Sequence, residues 1–271
     1  MIKLCVFDLS GTIVDRFSLS PYISLKNCFK KHGININDSL IFKDMGKNKL
    51  DHINEILNDK YVARNWFQLH KKYPGINESQ QIYNDFNYYQ INEGMNMIDI
   101  LPETKKCIDI LQKNNISTGV TTGFNKPITM NIRDKLIDND IFIDKYVSST
   151  CLGLPGRPYP HMINNIMNSI SLKDPTKVIK IDDTVIGLKE GKMAGCITIG
   201  VAKWSTYMYM KEKNASISKE EYVEKLKNSR EILYSAKPDY VINSLDELYP
   251  IIHQLNQGFS RNFRIGNIRN A

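Results

Sequence analysis

Leu4-Cys-Val-Phe-Asp8-Leu-Ser10-Gly-Thr-Ile-Val-Asp15 is the stretch on which the reading of this chain turns. The apolar run from Leu4 to Phe7 stops at Asp8, and Gly11 with Thr12 follows at once. This pattern predicts a buried strand that delivers a carboxylate to its C-terminal edge and then turns sharply. Open α/β sheets place their ligands at that edge. A carboxylate beside such a turn can bind a divalent cation through hard oxygen, attack phosphorus, or cap the next turn. Asp-x-x-Gly-Thr alone does not choose between these.

Three further stretches supply partners for Asp8. Thr118 to Gly123 (Thr-Gly-Val-Thr-Thr-Gly) reads as a strand ending in hydroxyls and a glycine, Gly156 to Pro160 (Gly-Arg-Pro-Tyr-Pro) as a rigid loop with one cation, and Val178 to Asp183 (Val-Ile-Lys-Ile-Asp-Asp) as a strand ending in two carboxylates. Asp8, Thr122, Arg157 and Asp183 then combine as nucleophile, phosphate donor, charge clamp and metal ligand. Each has a plainer reading: a strand end for Thr122 and Gly123, a surface cation for Arg157, a turn for the carboxylates. Asp182 and Asp183, adjacent on a strand, are not expected to point into one site.

Between Asp15 and Met97 no strand pattern occurs. Helical patterns cover Ser20 to Lys31, with Ser20 as expected N-cap, Pro21 at the first helical position and Gly33 beyond, then Lys47 to Asn58, Arg64 to Lys72 and Glu78 to Gln90. From Pro102 onward strands and helices alternate: helix 103–113, strand 117–121, helix 127–138, strand 146–149, helix 160–169, strand 178–181, helix 187–194 and strand 196–201. Capping boxes at Ser218 and Ser244 open two late helices around a strand at 240–242. The fold class expected is α/β, a Rossmann-like three-layer core around a parallel sheet, with an inserted small helical cap domain. Residues 1–15 and 98–256 form the core, 16–97 the cap and 257–271 a basic C-terminal tail.

The 271 residues, 42% hydrophobic and 24% charged, suit an ordinary globular protein. No run approaches the ~18 apolar residues that span a bilayer. The first strand begins without a leader, so a cytoplasmic protein without a membrane partner is expected. The five cysteines show no Cys-x-x-Cys pair, which argues against a zinc site or a disulfide framework. The net charge of +7 invites a nucleic-acid reading. Lysines are interspersed with acids, however, and the only acid-free basic segment is the tail with Arg261, Arg264 and Arg269, so no nucleic-acid partner is expected.

On the helix from Lys47, a step of about 100° per residue puts Leu50, Ile53, Ile56 and Leu57 on one arc, with Lys49 inside it and His52 at its border. Alone, this reads as a snorkelling lysine beside a solvated histidine. A desolvated lysine there would instead have a lowered pKa and supply neutral amine.

The four stretches, in this order and spacing, resemble the motifs of the haloacid dehalogenase superfamily. Met45-Gly46-x-x-Lys49-x-Asp51-His52, Thr121-Thr122-Gly123, Gly156-Arg157-Pro158-Tyr159-Pro160, and Asp182-Asp183-Thr184 followed by Glu190-Gly191 narrow the resemblance to the phosphonoacetaldehyde hydrolase family. The resemblance runs to about residue 255. It implies hydrolysis of the carbon–phosphorus bond of phosphonoacetaldehyde with Mg²⁺. Lys49 falls on the Schiff-base lysine, His52 on its partner histidine and Asp8 on the nucleophile. Met45, Thr122, Gly123 and Arg157 fall at the substrate, and the cation is assigned to Asp8, the Ser10 backbone carbonyl and Asp183. It also implies a homodimer through the cap, for which Tyr83, Phe86, Tyr88 and Tyr89 offer an aromatic face.

Ser10 stands where phosphatases of the superfamily carry a second aspartate as acid and base, and a serine hydroxyl cannot replace it unaided. Phe124 and Ser18 replace a tyrosine and a cysteine common in the family, which puts rate and exact substrate in question more than reaction class. Two other functions stay open: a phosphatase of the same fold acting on another small phosphate ester, and a non-catalytic binding protein that keeps the fold.

Overall fold

The computed structural model describes residues 1–258. The tail arginines Arg261, Arg264 and Arg269 lie outside the described residues.

Among the described residues six strands form one parallel sheet: β1 (Leu4–Phe7), β2 (Ser117–Thr122), β3 (Lys145–Ser148), β4 (Val178–Asp182), β5 (Ile197–Val201) and β6 (Tyr240–Ile242). Their order is β3-β2-β1-β4-β5-β6, with β1 between β2 and β4. The all-apolar Leu4 to Phe7 run suits that central place, since all four residues are buried. The order reverses at β1, and such a reversal opens a crevice at the carboxyl ends of the strands. Phe7 pairs in register with Val120 and Ile181, so Asp8, Thr121 and Asp182 emerge side by side into that crevice.

Between β1 and β2 the chain is helical: α1 (Leu19–Lys31), α2 (Asp38–Lys43), α3 (Lys49–Asn58), α4 (Lys60–His70), α5 (Ile76–Tyr89), a π-helical turn at Gln90–Gly94, α6 (Met95–Met97) and α7 (Thr104–Lys113). Further on come α8 (Lys126–Ile137), α9 (His161–Ser169), α10 (Val185–Met193), α11 (Lys219–Tyr234) and α12 (Leu248–Asn256). Ile41, Ile53, Ile56, Trp66, Ile82 and Phe86 from the helical insertion join Phe7, Leu9 and Val120 in one apolar cluster. Each such side chain contributes about 1.5–3 kcal/mol on burial, so the insertion is fixed to the sheet by shared core.

Several expectations need correction. Ser18, in left-handed geometry, is the N-cap of α1, and Ser20 lies in its first turn because Asp15 accepts hydrogen bonds from its backbone N–H and hydroxyl. The segment 38–43, unassigned from sequence, forms α2. The aromatic face expected at a dimer contact is not assembled. Phe86 is fully buried, Tyr83 and Tyr89 pack against the core, and Tyr88 alone of the four is largely exposed. The inward stripe of α5 runs through Ile82 and Phe86, at helical spacing, and takes the aromatics with it.

Candidate active site

Asp8, Ser10, Ser18, Met45, Lys49, Thr122, Gly123 and Phe124 line one pocket, together with Pro21, Gly46 and Thr184. Its free space is about 20 Å³, room for about one water. From the start of the 45–48 segment, Met45 and Gly46 contribute to its wall. A Cβ added at Gly123 would strike the Gly46 and Lys47 carbonyls, and one at Gly46, whose φ is +95°, would strike Thr184 and Ile186. Gly123 lets the two backbones meet, and Gly46 holds a left-handed conformation against Thr184 and Ile186.

Asn48 caps α3 by accepting from Leu50 N at 2.9 Å, which starts the helix at Lys49. Lys49 is 4% exposed. Its Nζ lies 3.8 Å from Met45 Sδ and 5.6 Å from the centre of the Phe124 ring. Burial brings its pKa down to about 8, against the opposing pull of Asp8. His52, one turn on, is fully buried and does not line the pocket. Burial and the nearby Lys49 hold its pKa well below the usual histidine range, and neither ring nitrogen has a hydrogen-bond partner among the described residues.

Arg157 turns inward from its loop and its side chain is wholly buried. Nη2 lies 2.8 Å from Asp8 Oδ1, Nη1 3.5 Å from Asp182 Oδ2, and Nε 2.8 Å from Glu190 Oε2. The surface-cation reading is therefore excluded, and the anions it meets here are Asp8, Asp182 and Glu190. Lys180, in the middle of β4, lies 3.0 Å from Asp182 and donates to Thr121 Oγ1 at 2.8 Å.

Asp182 and Asp183 converge, contrary to the alternation argument. β4 ends at Asp182, so Asp183 belongs to the turn and is free of the pleat. Carboxylate oxygens of Asp8, Asp182 and Asp183 lie within 4.8 Å of one another, all buried. Asp183 accepts from Thr206 N at 3.0 Å and from Thr12 Oγ1 at 3.5 Å. Burial, then Asp8 and Asp182, push its pKa well above the usual range. Asp8 is pushed up to about 6 by burial, with Arg157 pulling the other way and Asp182 adding to the rise. Burial also opposes ionisation of Asp182, but Lys180 and Arg157 outweigh it and keep its pKa low.

This donor set fits a hard divalent cation. With Glu190, four carboxylates face the two fixed cations Arg157 and Lys180. Fully ionised, the cluster carries two negative charges in excess, a costly state in the interior unless a cation offsets it. Asp182 is held by Lys180 and by the Thr184 backbone N–H and hydroxyl, whereas Asp8 has a single N–H of Arg157, so Asp8 and Asp183 are the freer pair. Gly11, with φ of +76°, leaves the space that Asp183 fills, and a Cβ there would collide with its carboxylate. Gly11→Ala is expected to weaken Mg²⁺ binding by about 10- to 100-fold, read by titration calorimetry; unchanged affinity would remove Asp183 from the cation site.

Three groups escaped the sequence reading as parts of one network: Lys180, Thr121 and Glu190. Lys180 carried a signal, since a lysine inside the apolar run Val-Ile-Lys-Ile needs a buried anion.

Residues 2–195 match the model of the haloacid dehalogenase-like hydrolases. A phosphonoacetaldehyde hydrolase of Latilactobacillus sakei is 31% identical over 254 residues, spanning 93% of this chain and 95% of the relative. This chain belongs to the phosphonoacetaldehyde hydrolase family of haloacid dehalogenase-like hydrolases. Another relative of that name, from Lactiplantibacillus plantarum, is 28% identical, covering 94% of this chain and 97% of its own. Among solved structures, a phosphonoacetaldehyde hydrolase-like protein from Oleispira antarctica superposes with a TM-score of 0.90 at 23% identity, covering 97% of this chain and 96% of that one. It shares the fold. Family membership makes the chain a hydrolase and its sheet the family's three-layer α/β core.

Proposed function

We propose that this hydrolase cleaves the carbon–phosphorus bond of phosphonoacetaldehyde, giving acetaldehyde and phosphate. The observation that carries the reading is the desolvated amine of Lys49 in the same small pocket as Asp8, with Ser10 in place of a second acid. The names of the relatives support the same substrate.

Lys49 attacks the aldehyde and, with loss of water, forms an imine whose protonated form is an electron sink beside the carbon–phosphorus bond. Asp8 attacks phosphorus, and the bonding pair moves into the imine to give an enamine. No acid at residue 10 is needed, because the leaving carbon is not protonated as it departs. Water then hydrolyses the aspartyl phosphate and frees phosphate. The enamine takes a proton at carbon, and a second water releases acetaldehyde and the amine. His52, buried one turn from Lys49 and outside the pocket wall, is assigned as proton shuttle for the Lys49 nitrogen, burial keeping it neutral at rest. Asp8, the Ser10 carbonyl and Asp183 would hold Mg²⁺, which when bound offsets the charge of phosphonate and carboxylate. Arg157, Thr122 and the Gly123 backbone receive the phosphonyl oxygens, and Met45 lies against the imine nitrogen. The free space is far smaller than the substrate, so the 45–48 segment of the helical cap, residues 16–97, must lift on entry. We assign the protein to the cytoplasm, acting on a small phosphonate, and infer a homodimer from the family resemblance alone, since the α5 aromatics do not form the expected contact face.

The test is acetaldehyde release from phosphonoacetaldehyde with and without Mg²⁺. Turnover is expected only with the cation. A lysine at pKa about 8 holds roughly 300-fold more neutral amine near pH 7 than one at 10.5. Because the lowered pKa makes the amine neutral above it, imine formation should rise about tenfold per pH unit below pH 8 and level off beyond. A flat profile from pH 6 to 9, or phosphate release from simple esters in preference to the phosphonate, would turn the assignment toward a phosphatase.

A further inference from the structure

Glu190 is fully buried on α10, and no step above uses it. Its Oε2 gathers three groups: Arg157 Nε at 2.8 Å, Thr121 Oγ1 at 3.0 Å and Lys180 Nζ at 3.6 Å. Its Oε1 has no hydrogen-bond partner among the described residues. A buried carboxylate left half satisfied is costly and calls for an explanation.

The donors of Arg157 supply one. Nη2 gives to the Thr121 carbonyl at 2.6 Å, to Thr121 Oγ1 at 3.0 Å and to Asp8 Oδ1 at 2.8 Å. Nε is taken by Glu190. Among the described residues Nη1 has only longer contacts, 3.4 Å to the Gly46 carbonyl and 3.5 Å to Asp182. An arginine free to choose would close on a carboxylate as a two-bond fork.

We propose that Glu190 is a positioning residue that aims Arg157. By holding Nε, it denies Asp8 the Nε–Nη2 fork, so the nucleophile is tied by a single N–H that an incoming phosphonyl group can displace. It also leaves Nη1, on the Gly46 side that walls the pocket, for a phosphonyl oxygen. Thr121 relays the arrangement, because its hydroxyl accepts from Arg157 and Lys180 and donates to Glu190. The inference rests on the reading of Arg157 as the anchor of a phosphoryl-transfer site.

Two substitutions separate aiming from charge balance. Glu190→Asp keeps the charge but is too short to reach Nε, whereas Glu190→Gln loses the charge and keeps an oxygen in reach. The probe is inorganic phosphate, titrated into the full-length protein, alongside kcat and KM for phosphonoacetaldehyde and the thermal unfolding midpoint. Glu190→Asp is expected to lose at least about tenfold in both phosphate affinity and kcat/KM, and Glu190→Gln no more than about threefold. The reverse order, or Glu190→Asp within about twofold of the parent, overturns the proposal. Should Glu190→Asp not fold, Thr121→Val, which removes the relay, takes its place with the same expected loss and the same overturning result. A parent protein that binds phosphate without cleaving the phosphonate would defeat the substrate reading, and the phosphate comparison would still decide Glu190.

Discussion

Asp8→Asn is expected to lower turnover of phosphonoacetaldehyde by about 10⁴-fold or more while the protein folds normally. Losses of that size follow removal of an enzymic nucleophile, and the amide has no charge to attack phosphorus. The fold should tolerate the change because the side chain is isosteric and its amide oxygen can still accept from the Arg157 guanidinium where the carboxylate does, 2.8 Å from Nη2. It also removes one of the four clustered carboxylates, so the thermal midpoint of the metal-free protein should hold or rise. The checks are a discontinuous acetaldehyde assay and a thermal melt. Residual activity within about tenfold of the parent would mean that another group attacks phosphorus.

The second large effect belongs to Lys49. Lys49→Arg keeps a cation beside Met45 and Phe124 but has no amine that can condense with an aldehyde. Cleavage of the phosphonate should fall below detection while phosphate still binds. In the parent protein, borohydride added with phosphonoacetaldehyde or acetaldehyde should reduce the imine and inactivate the enzyme, leaving an adduct that peptide mass spectrometry places on Lys49. Lys47 is the internal control. Its amine is held by Asp44 and Glu55 at 2.7 and 3.1 Å, and these contacts raise its pKa although burial works against them. An adduct on Lys47 instead, or an active Lys49→Arg variant, would end the Schiff-base assignment.

The parts of this molecule that could be read from the chain are those governed by local pattern. The Leu4 to Phe7 run had one physical use, a strand buried on both faces, and the strand at Tyr240–Ile242 fell between its expected ends. The lysine on the apolar arc of α3 did lie in the interior, because helical period alone fixes which side faces in. Contacts made across the fold were not legible in this way. Nothing in Gly-Arg-Pro-Tyr-Pro says whether the arginine points outward or toward Glu190, which is distant in sequence. The convergence of Asp182 with Asp183 depended on where β4 stops, a boundary set by pairing with β1 and β5 rather than by the residues themselves. Ser20 was displaced from its expected capping role by Asp15, a competition that only the folded linker reveals.

The meeting of Gly46 and Gly123 bears on how this protein could be retuned. A side chain at Gly123 would run into the Gly46 and Lys47 carbonyls, and one at Gly46 would sit on a left-handed backbone against Thr184 and Ile186, so substitution at either position would disturb the packing of the pocket wall. Ser18, Met45 and Phe124 do place side chains on the cavity wall. A combinatorial library meant to shift the accepted carbonyl compound should vary these three and leave the glycines fixed. Shrinking Phe124 would enlarge the chamber from the sheet side, and altering Ser18 would change it from the linker, so the two substitutions explore separate directions of substrate growth.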